Sequence, residues 1–495
     1  MADSSEPRLT SLRDYIDIID GKGLLRHVEG AHPDYELGAL TEIGARVDNP
    51  KPILFDDVVG YDRGYRVLTL PYVTDRHHAI ALGMDEHASS VDLVREWKDD
   101  ILGVERHAPN PVSSGPVQEN TFEGDDVDVF SLPCPIWHEK DGGPFIGTGN
   151  AVITRGPDDD EEWNWVNLGV YRNQVHDGQT LGIFINQTNQ GYKQFERWWA
   201  RGESAPIVID LGPSPHVYAG ACMKLPKGFP ELEMAGGLKG EPIDVIMDED
   251  TGLPVPAQSE MAVIGHVPDP AEETELEGPF GECFGYYAGG AGLEEPRAVI
   301  KVDKLWHRDD PILKGCPELK DQANVHALGA HLGTSARAWS TIEENVSNVE
   351  GVYSLFQGCQ QGSSILVVSI RQEYAGHAKQ AGLAAMSAQN AITSNMMTVV
   401  VDDDIDPSDT EDVLFALTTR CVPEEDVDVI RNIPTFELDP RTTPEDRAAR
   451  NFTTSALLVD ACIPYHWRDE FPEVIDFPAD FKAELAERFD VASWD

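Results

Sequence analysis

Hydrophobic positions along this 495-residue chain change their spacing twice. As far as about residue 115, helical and strand periods alternate. Ser11 is placed to cap a helix through Ile19, and Ala39–Val47 predicts a second amphipathic helix. Strand-like runs follow at Ile53–Phe55 and Arg66–Pro71, then helices near His78–Leu82 and Ser90–Trp97. Asn110-Pro-Val-Ser-Ser-Gly-Pro116 is dense in chain breakers and marks a boundary.

Beyond that boundary the period shortens. Between 116 and 320, short β-branched and aromatic runs recur between Gly, Pro and Asp clusters, which predicts an antiparallel barrel or sandwich. Trp163–Val175 and Thr180–Gln187 flank His176-Asp-Gly-Gln179, and Asp-Gly between apolar runs is a hairpin signal. Ile207–Leu211, Pro242–Met247, Ala262–His266 and Arg297–Leu305 predict further strands, with one helix at Tyr192–Arg201. From 321 to 495 the α/β pattern returns. Ser363–Ile370 and Met397–Val401 are apolar enough to be strands buried on both faces. Helices are predicted at Ala375–Ser387, Thr410–Thr419 and Phe481–Phe489. The expectation is therefore an N-terminal α/β domain (1–115), a central β-barrel domain (116–320) and a C-terminal α/β domain (321–495).

Composition adds a setting. With 38 basic against 87 acidic residues the formal charge is −49, and the acids run along the whole chain, as in Asp158–Glu162 and Asp402–Asp404. Such a chain repels nucleic acid, and at molar salt, where the Debye length is about 3 Å, its carboxylates mainly hold hydration. The expectation is a salt-adapted cytoplasmic protein from a halophile, not a nucleic-acid partner. The seven cysteines form no C-x-x-C pair, which fits a reducing compartment. The N-terminus lacks an apolar leader, and the longest apolar runs fall far short of the about 20 residues that span a bilayer.

Candidate chemistry is sparse. There is no phosphate loop, Gly147-Thr-Gly149 lacks the third glycine of a dinucleotide fingerprint, and no H-E-x-x-H is present. Glu277-Gly-Pro-Phe-Gly-Glu282 stands out because its glycines and proline force a turn that could aim both carboxylates into one cavity. Two such carboxylates cannot both ionise cheaply, so one can serve as an acid. In Asn167-Leu-Gly-Val-Tyr-Arg172, an arginine aimed into a barrel would need an anionic partner. By spacing alone these residues, Glu233 and Lys379 are equally readable as surface charges. Asp402–Asp404 reads as helix capping and salt adaptation rather than a Mg²⁺ site, and Cys283 has no base beside it.

Taken in order, the segments resemble the UbiD family of prenylated-flavin-dependent decarboxylases over nearly the whole length, nearest the branch acting on polyprenyl 4-hydroxybenzoates. The carrying stretches are Asn167-Leu-Gly-Val-Tyr-Arg-Asn-Gln174, Glu277–Glu282 continuing to Gly285-Tyr-Tyr287, and Tyr374-Ala-Gly-His-Ala-Lys379. Support comes from Ala151–Arg155 and Asp402–Asp404 before Leu417–Arg420. The resemblance implies that the central domain is a split β-barrel like that of flavin reductases. It implies a catalytic set of Arg172, Glu277 and Glu282. It also implies Val170, Tyr171, Arg172, Gln190 and Lys379 around the prenylated FMN. A Mn²⁺ or Mg²⁺ ion, with K⁺ nearby, would sit on Asn167 and Glu233. Some members add a histidine ligand; here Asn186-Gln-Thr-Asn-Gln-Gly191 has none, and Gln190 is nearest in spacing. The family further implies a homo-oligomer, a flavin prenyltransferase as cofactor supplier and a small carboxylic acid substrate. An anhydromevalonate phosphate decarboxylase and a flavin-binding protein without activity are the competing readings.

Overall fold

The computed structural model describes residues 9–101, 103–158, 166–223, 225, 229–282, 284–320, 328–357, 364–388, 395–435 and 437–491. Its first helix, Leu12–Gly21, starts as the sequence predicts. The Ser11 hydroxyl accepts from the Asp14 amide, the Asp14 carboxylate accepts from the Ser11 amide, and Leu12, Tyr15, Ile16 and Ile19 turn inward. The second expected helix lies three residues earlier, at Glu36–Ala45. A four-stranded sheet then runs in the order Arg26–Ala31, Ile53–Val58, Arg66–Thr69, Ile312–Lys314. Its last strand comes from beyond the barrel, so the segment before residue 115 does not close on itself.

Nine strands build the centre, a curled antiparallel sheet. The order is Phe145–Gly147, Asn173–Asp177, Thr180–Gly182, Val299–His307, Met261–Val267, Ala205–Asp210, Ala151–Thr154, Asn167–Gly169, and Asn120–Glu123 also pairs with Val299–His307. The expected hairpin forms as Asn173–Asp177 against Thr180–Gly182, but its first strand is broken. Asn167–Gly169 belongs to one end of the sheet and Asn173–Asp177 lies near the other, so residues 170–172 carry the chain across the mouth of the curl. Part of that predicted strand, 163–165, and Cys283 lie outside the described residues. The predicted helix runs from Gln190 to Trp199, and the long strand after 295 splits into Glu295–Arg297 and Val299–His307.

A five-stranded mixed sheet forms the last part, ordered Val349–Gln357, Ser364–Ile370, Asn395–Asp402, Thr453–Asp460, Val427–Pro434. Its central pairs are parallel and covered on both faces, which explains the unbroken apolar runs. Val368, Val400 and Leu458 face one core, while Val367, Val399 and Val459 face another with Val413 and Ala416 of the Thr410–Thr419 helix. The first core is shared with Tyr15, Leu93 and Trp97, so the two ends of the chain are packed together. Asp75 reinforces that seam: it lies 2.8 Å from His331 Nε2 and accepts from the Tyr353 hydroxyl at 2.9 Å. Asp402 and Asp404 are tied to Arg420, and Asp402 also accepts from Gln372, so they brace the sheet, while the helix cap expected of them is supplied by Asp409.

Candidate active site

Because residues 170–172 leave the strand ladder, their side chains are freed from strict alternation, and two neighbourhoods form on this short crossing. The first gathers around Arg172, whose side chain is 7% exposed. Its Nε donates to Glu277 Oε1 at 2.9 Å, Nη2 lies 3.3 Å from Glu277 Oε2, and Nη1 donates to Glu282. Burial alone would weaken the guanidinium charge, but the two carboxylates overcome it and raise the Arg172 pKa. Phe184 and Phe280 place their rings 4.4 and 5.0 Å from the guanidinium carbon.

The turn brings Glu277 and Glu282 together as expected. Glu277 ends the Glu275–Glu277 strand, Gly278 adopts φ +91°, and the Gly278 amide donates to Gln174 Oε1 at 2.8 Å. Gln174 sits on the hairpin two residues past Arg172, so the end of the crossing and the strand that follows it each supply a partner to this turn. Glu318, unrecognised in the sequence, joins them from the segment after Ile312–Lys314. Burial first, then the neighbouring Glu282 charge, pushes its pKa up to about 8, against the pull of Arg172. Asn150 was also unrecognised: its Nδ2 donates to the Tyr171 carbonyl at 2.8 Å and to Asn173 Oδ1 at 2.7 Å, clamping the crossing from beneath.

The second neighbourhood surrounds Asn167 and Tyr171. The Tyr171 hydroxyl shares hydrogen bonds with the side chains of Asn167 and Asn189 and with the Gly191 amide, and burial pushes its pKa up to about 12. Its ring lies over Gly169, where a Cβ would come within 2.7 Å of it. Gln190 opens the helix beside Asn189 and is half-buried. Val170 packs between two cores.

Two expectations need correction. Glu233 is not the carboxylate facing Asn167: its side chain is 20% exposed and lies 3.9 Å from Arg106. Glu231, two residues earlier on the Glu231–Lys239 helix, is buried and accepts from the Leu168 amide at 3.3 Å. Residues two apart on a helix are about 200° apart around its axis, so only one of the pair can face the barrel. Desolvation pushes the Glu231 pKa up to about 7 against hydrogen bonds from backbone amides, the surroundings of a carboxylate that a cation would relieve. Lys379 is likewise elsewhere, on the His377–Ser387 helix, where it pairs with Asp428 on the Val427–Pro434 strand. The carboxylate of that exposed strand claims its charge. Among the described residues no three His, Cys, Asp or Glu side chains come together as a metal cage. Asn167 and Glu231 instead offer the oxygen donors that suit a hard divalent ion completed by a ligand's own oxygens.

Domain families matching this chain decide its kinship: the 3-octaprenyl-4-hydroxybenzoate carboxy-lyase N-terminal, Rift-related and C-terminal domains match residues 16–97, 110–319 and 328–461. The chain belongs to the UbiD family of carboxy-lyases. The phenolic acid decarboxylase of Sedimentibacter hydroxybenzoicus is 31% identical over 464 residues, 92% of this chain and 91% of its own. Among solved structures, the vanillic acid decarboxylase of the same organism in its open form superposes with a TM-score of 0.83 at 25% identity, over 99% of this chain and 100% of that one. The UbiD-class enzyme HmfF of Pelotomaculum thermopropionicum, in complex with FMN, gives 0.82 at 27% identity over 96% and 99%. An evolved dimeric form of HmfF holds prFMN. A UbiD-class flavin site thus belongs to this fold, and no helix among the described residues is long and apolar enough to cross a membrane.

Proposed function

We propose that this protein decarboxylates an aromatic acid of the hydroxybenzoate class on prenylated FMN. The observation carrying this reading is the buried set of one guanidinium and two carboxylates, Arg172, Glu277 and Glu282, at the mouth of the curled sheet. When bound, the flavin supplies the electron sink for the pair left behind by CO₂. The chain's own groups do the rest. Arg172 offers the planar fork that grips a substrate carboxylate. Glu277, held across Nε and Nη2, is its counter-ion. Glu282 carries the proton delivered to carbon, and the rings of Phe184 and Phe280 keep water from the guanidinium. Val170, Tyr171 and Gln190 line the cofactor. Asn167 and Glu231 would hold a divalent ion, Mn²⁺ or Mg²⁺ with K⁺ nearby, which would supply positive charge for the anionic end of the cofactor.

Protein co-expressed with a flavin prenyltransferase, which supplies the cofactor, tests the reading in molar KCl. Its absorption spectrum reports bound flavin, and CO₂ release is followed from 4-hydroxybenzoate, vanillate, pyrrole-2-carboxylate, a polyprenyl 4-hydroxybenzoate and anhydromevalonate phosphate. Turnover of the simple phenolic acids is the expected result. Turnover of the last compound alone would move the protein to isoprenoid synthesis, and a flavin spectrum with no CO₂ from any acid would leave a binding protein. The charge of −49 supports a salt-rich cytoplasm. A homo-oligomer is the expected assembly.

A further inference from the structure

Glu277 faces two guanidinium groups, and the reaction proposed above employs one. The antiparallel pair Glu275–Glu277 and Glu295–Arg297 sets Glu275 opposite Arg297 and Glu277 opposite Glu295, so all four side chains share one face and Arg297 is the diagonal neighbour of Glu277. Arg297 Nη2 donates to Glu295 at 2.7 Å. Its Nε is buried, has no hydrogen-bond partner and lies 3.8 Å from Glu277 Oε2. The guanidinium carbon lies 4.6 Å from the centre of the Phe184 ring, which Arg172 also contacts. One ring and one carboxylate are thus shared by two cations.

That sharing matters because Arg172 is already engaged. Its Nε and Nη2 are taken by Glu277 and its Nη1 by Glu282. A substrate carboxylate arriving at Arg172 must displace one of them, and a buried carboxylate left without a partner is strongly unfavourable. We propose that Arg297 is the alternate counter-ion of Glu277, a positioning residue that takes over this carboxylate when a substrate carboxylate engages Arg172. This rests on the decarboxylase reading. Closing the gap from 3.8 Å to hydrogen-bond length requires a movement of about 1 Å, within the reach of one side-chain adjustment. The other charged or titratable groups around Glu277 are His176 on the hairpin, Glu275 and Glu295 on the strand pair, and Glu282 across Arg172, with Asp141 acting on Arg172 itself. Burial lowers the His176 pKa, so Arg297 is the remaining permanent cation of that group.

Arg297→Leu and Arg297→Lys test the hand-over in the prenyltransferase-co-expressed protein, with kcat and KM measured across pH on the acid the wild type turns over, and benzoate affinity measured by calorimetry. In Arg297→Leu, KM and the benzoate Kd should rise about tenfold, with kcat changed by less than about threefold. The acid limb of kcat/KM should move to higher pH, because removing a cation beside a carboxylate favours its protonated form. Arg297→Lys should recover most of both effects. Benzoate affinity and acid limb within about twofold of wild type would overturn the proposal. So would an equal loss of kcat, flavin content and melting temperature that lysine does not relieve. Absence of wild-type turnover would sink the decarboxylase reading instead, and the benzoate titrations would still decide the pairing.

Discussion

Asn167 and Arg172 are five residues apart, yet the surroundings they enter are opposite in kind. Around Arg172 the charges are matched at short range: one guanidinium bonded to two buried carboxylates, a second guanidinium 3.8 Å from one of them, and Glu318 behind, its carboxyl pKa raised by burial. Around Asn167 the groups are amides and a phenol, and the one carboxylate, Glu231, has backbone amides in place of a cation. A fixed internal cation suits binding and protonating an organic acid. An unmatched carboxylate among neutral oxygens suits a metal that arrives with its ligand. Under the proposed function, the difference separates the reacting end of the site from its anchoring end on one short crossing of chain.

The widest separation of the two ends should come from Glu282→Gln. General acid catalysis by a positioned carboxyl is worth about 10²–10⁴-fold, so CO₂ release should fall by that order. Flavin content, read from the absorption spectrum after gel filtration, should stay near wild type. If flavin were lost together with turnover, the two neighbourhoods would be one energetic unit. Arg172→Leu acts on the same end through stability. It leaves Glu277 and Glu282 buried without their shared cation, a defect that costs about 3–5 kcal/mol, and chemical denaturation at neutral pH should register most of it. Recovery of stability as pH falls would identify stranded charge as the cause, because protonation neutralises a buried carboxylate.

How much of this was legible in sequence depends on how each residue reaches the site. Arg172, Glu277 and Glu282 were legible because a Gly-Pro turn and an ordered set of motifs surround them. Glu231 was passed over for Glu233 because two glutamates stand at the start of one helix, and the ladder around Asn167 decides which is turned inward. The available signal was the apolar stripe: Glu231 falls in line with Met234, Ala235 and Leu238 at helical spacing. Arg297 and Glu318 could not be read at all, since strand pairing and the return of Ile312–Lys314 to the first sheet deliver them. The same return explains why a chain that reads as three consecutive parts folds with its first and last parts in one core.

The anchoring end makes its own prediction, with the opposite dependence on pH. The folded protein binds a proton on Glu231 more tightly than the unfolded chain, with a pKa of about 7 against 4.5. Metal-free protein should therefore be most stable below about pH 4.5 as far as this group is concerned, and lose up to about 3 kcal/mol as pH rises through 7. Mn²⁺ should reverse that slope by taking the deprotonated carboxylate as ligand. Glu231→Gln should flatten the slope and lower Mn²⁺ affinity, while Glu233→Gln should do neither; thermal melts at pH 5 and 8 with and without Mn²⁺ read both. Exchanged results for the two variants would restore Glu233 as the ligand.

The smallest effect belongs to the residue common to both ends. Asn150 touches neither Glu231 nor Glu277, but its amide group holds the Tyr171 carbonyl and Asn173 from below. Removing those two hydrogen bonds in Asn150→Ala should cost about 1–3 kcal/mol, and a loosened crossing should misplace Arg172 and Tyr171 together. The expected signature is a modest loss of both turnover and flavin retention, unlike any variant confined to one neighbourhood. If Asn150→Ala lowered turnover and left flavin retention at the wild-type level, the crossing would not be the element coupling the two ends, and the anchoring end would have to be held by the Gln190–Trp199 helix alone.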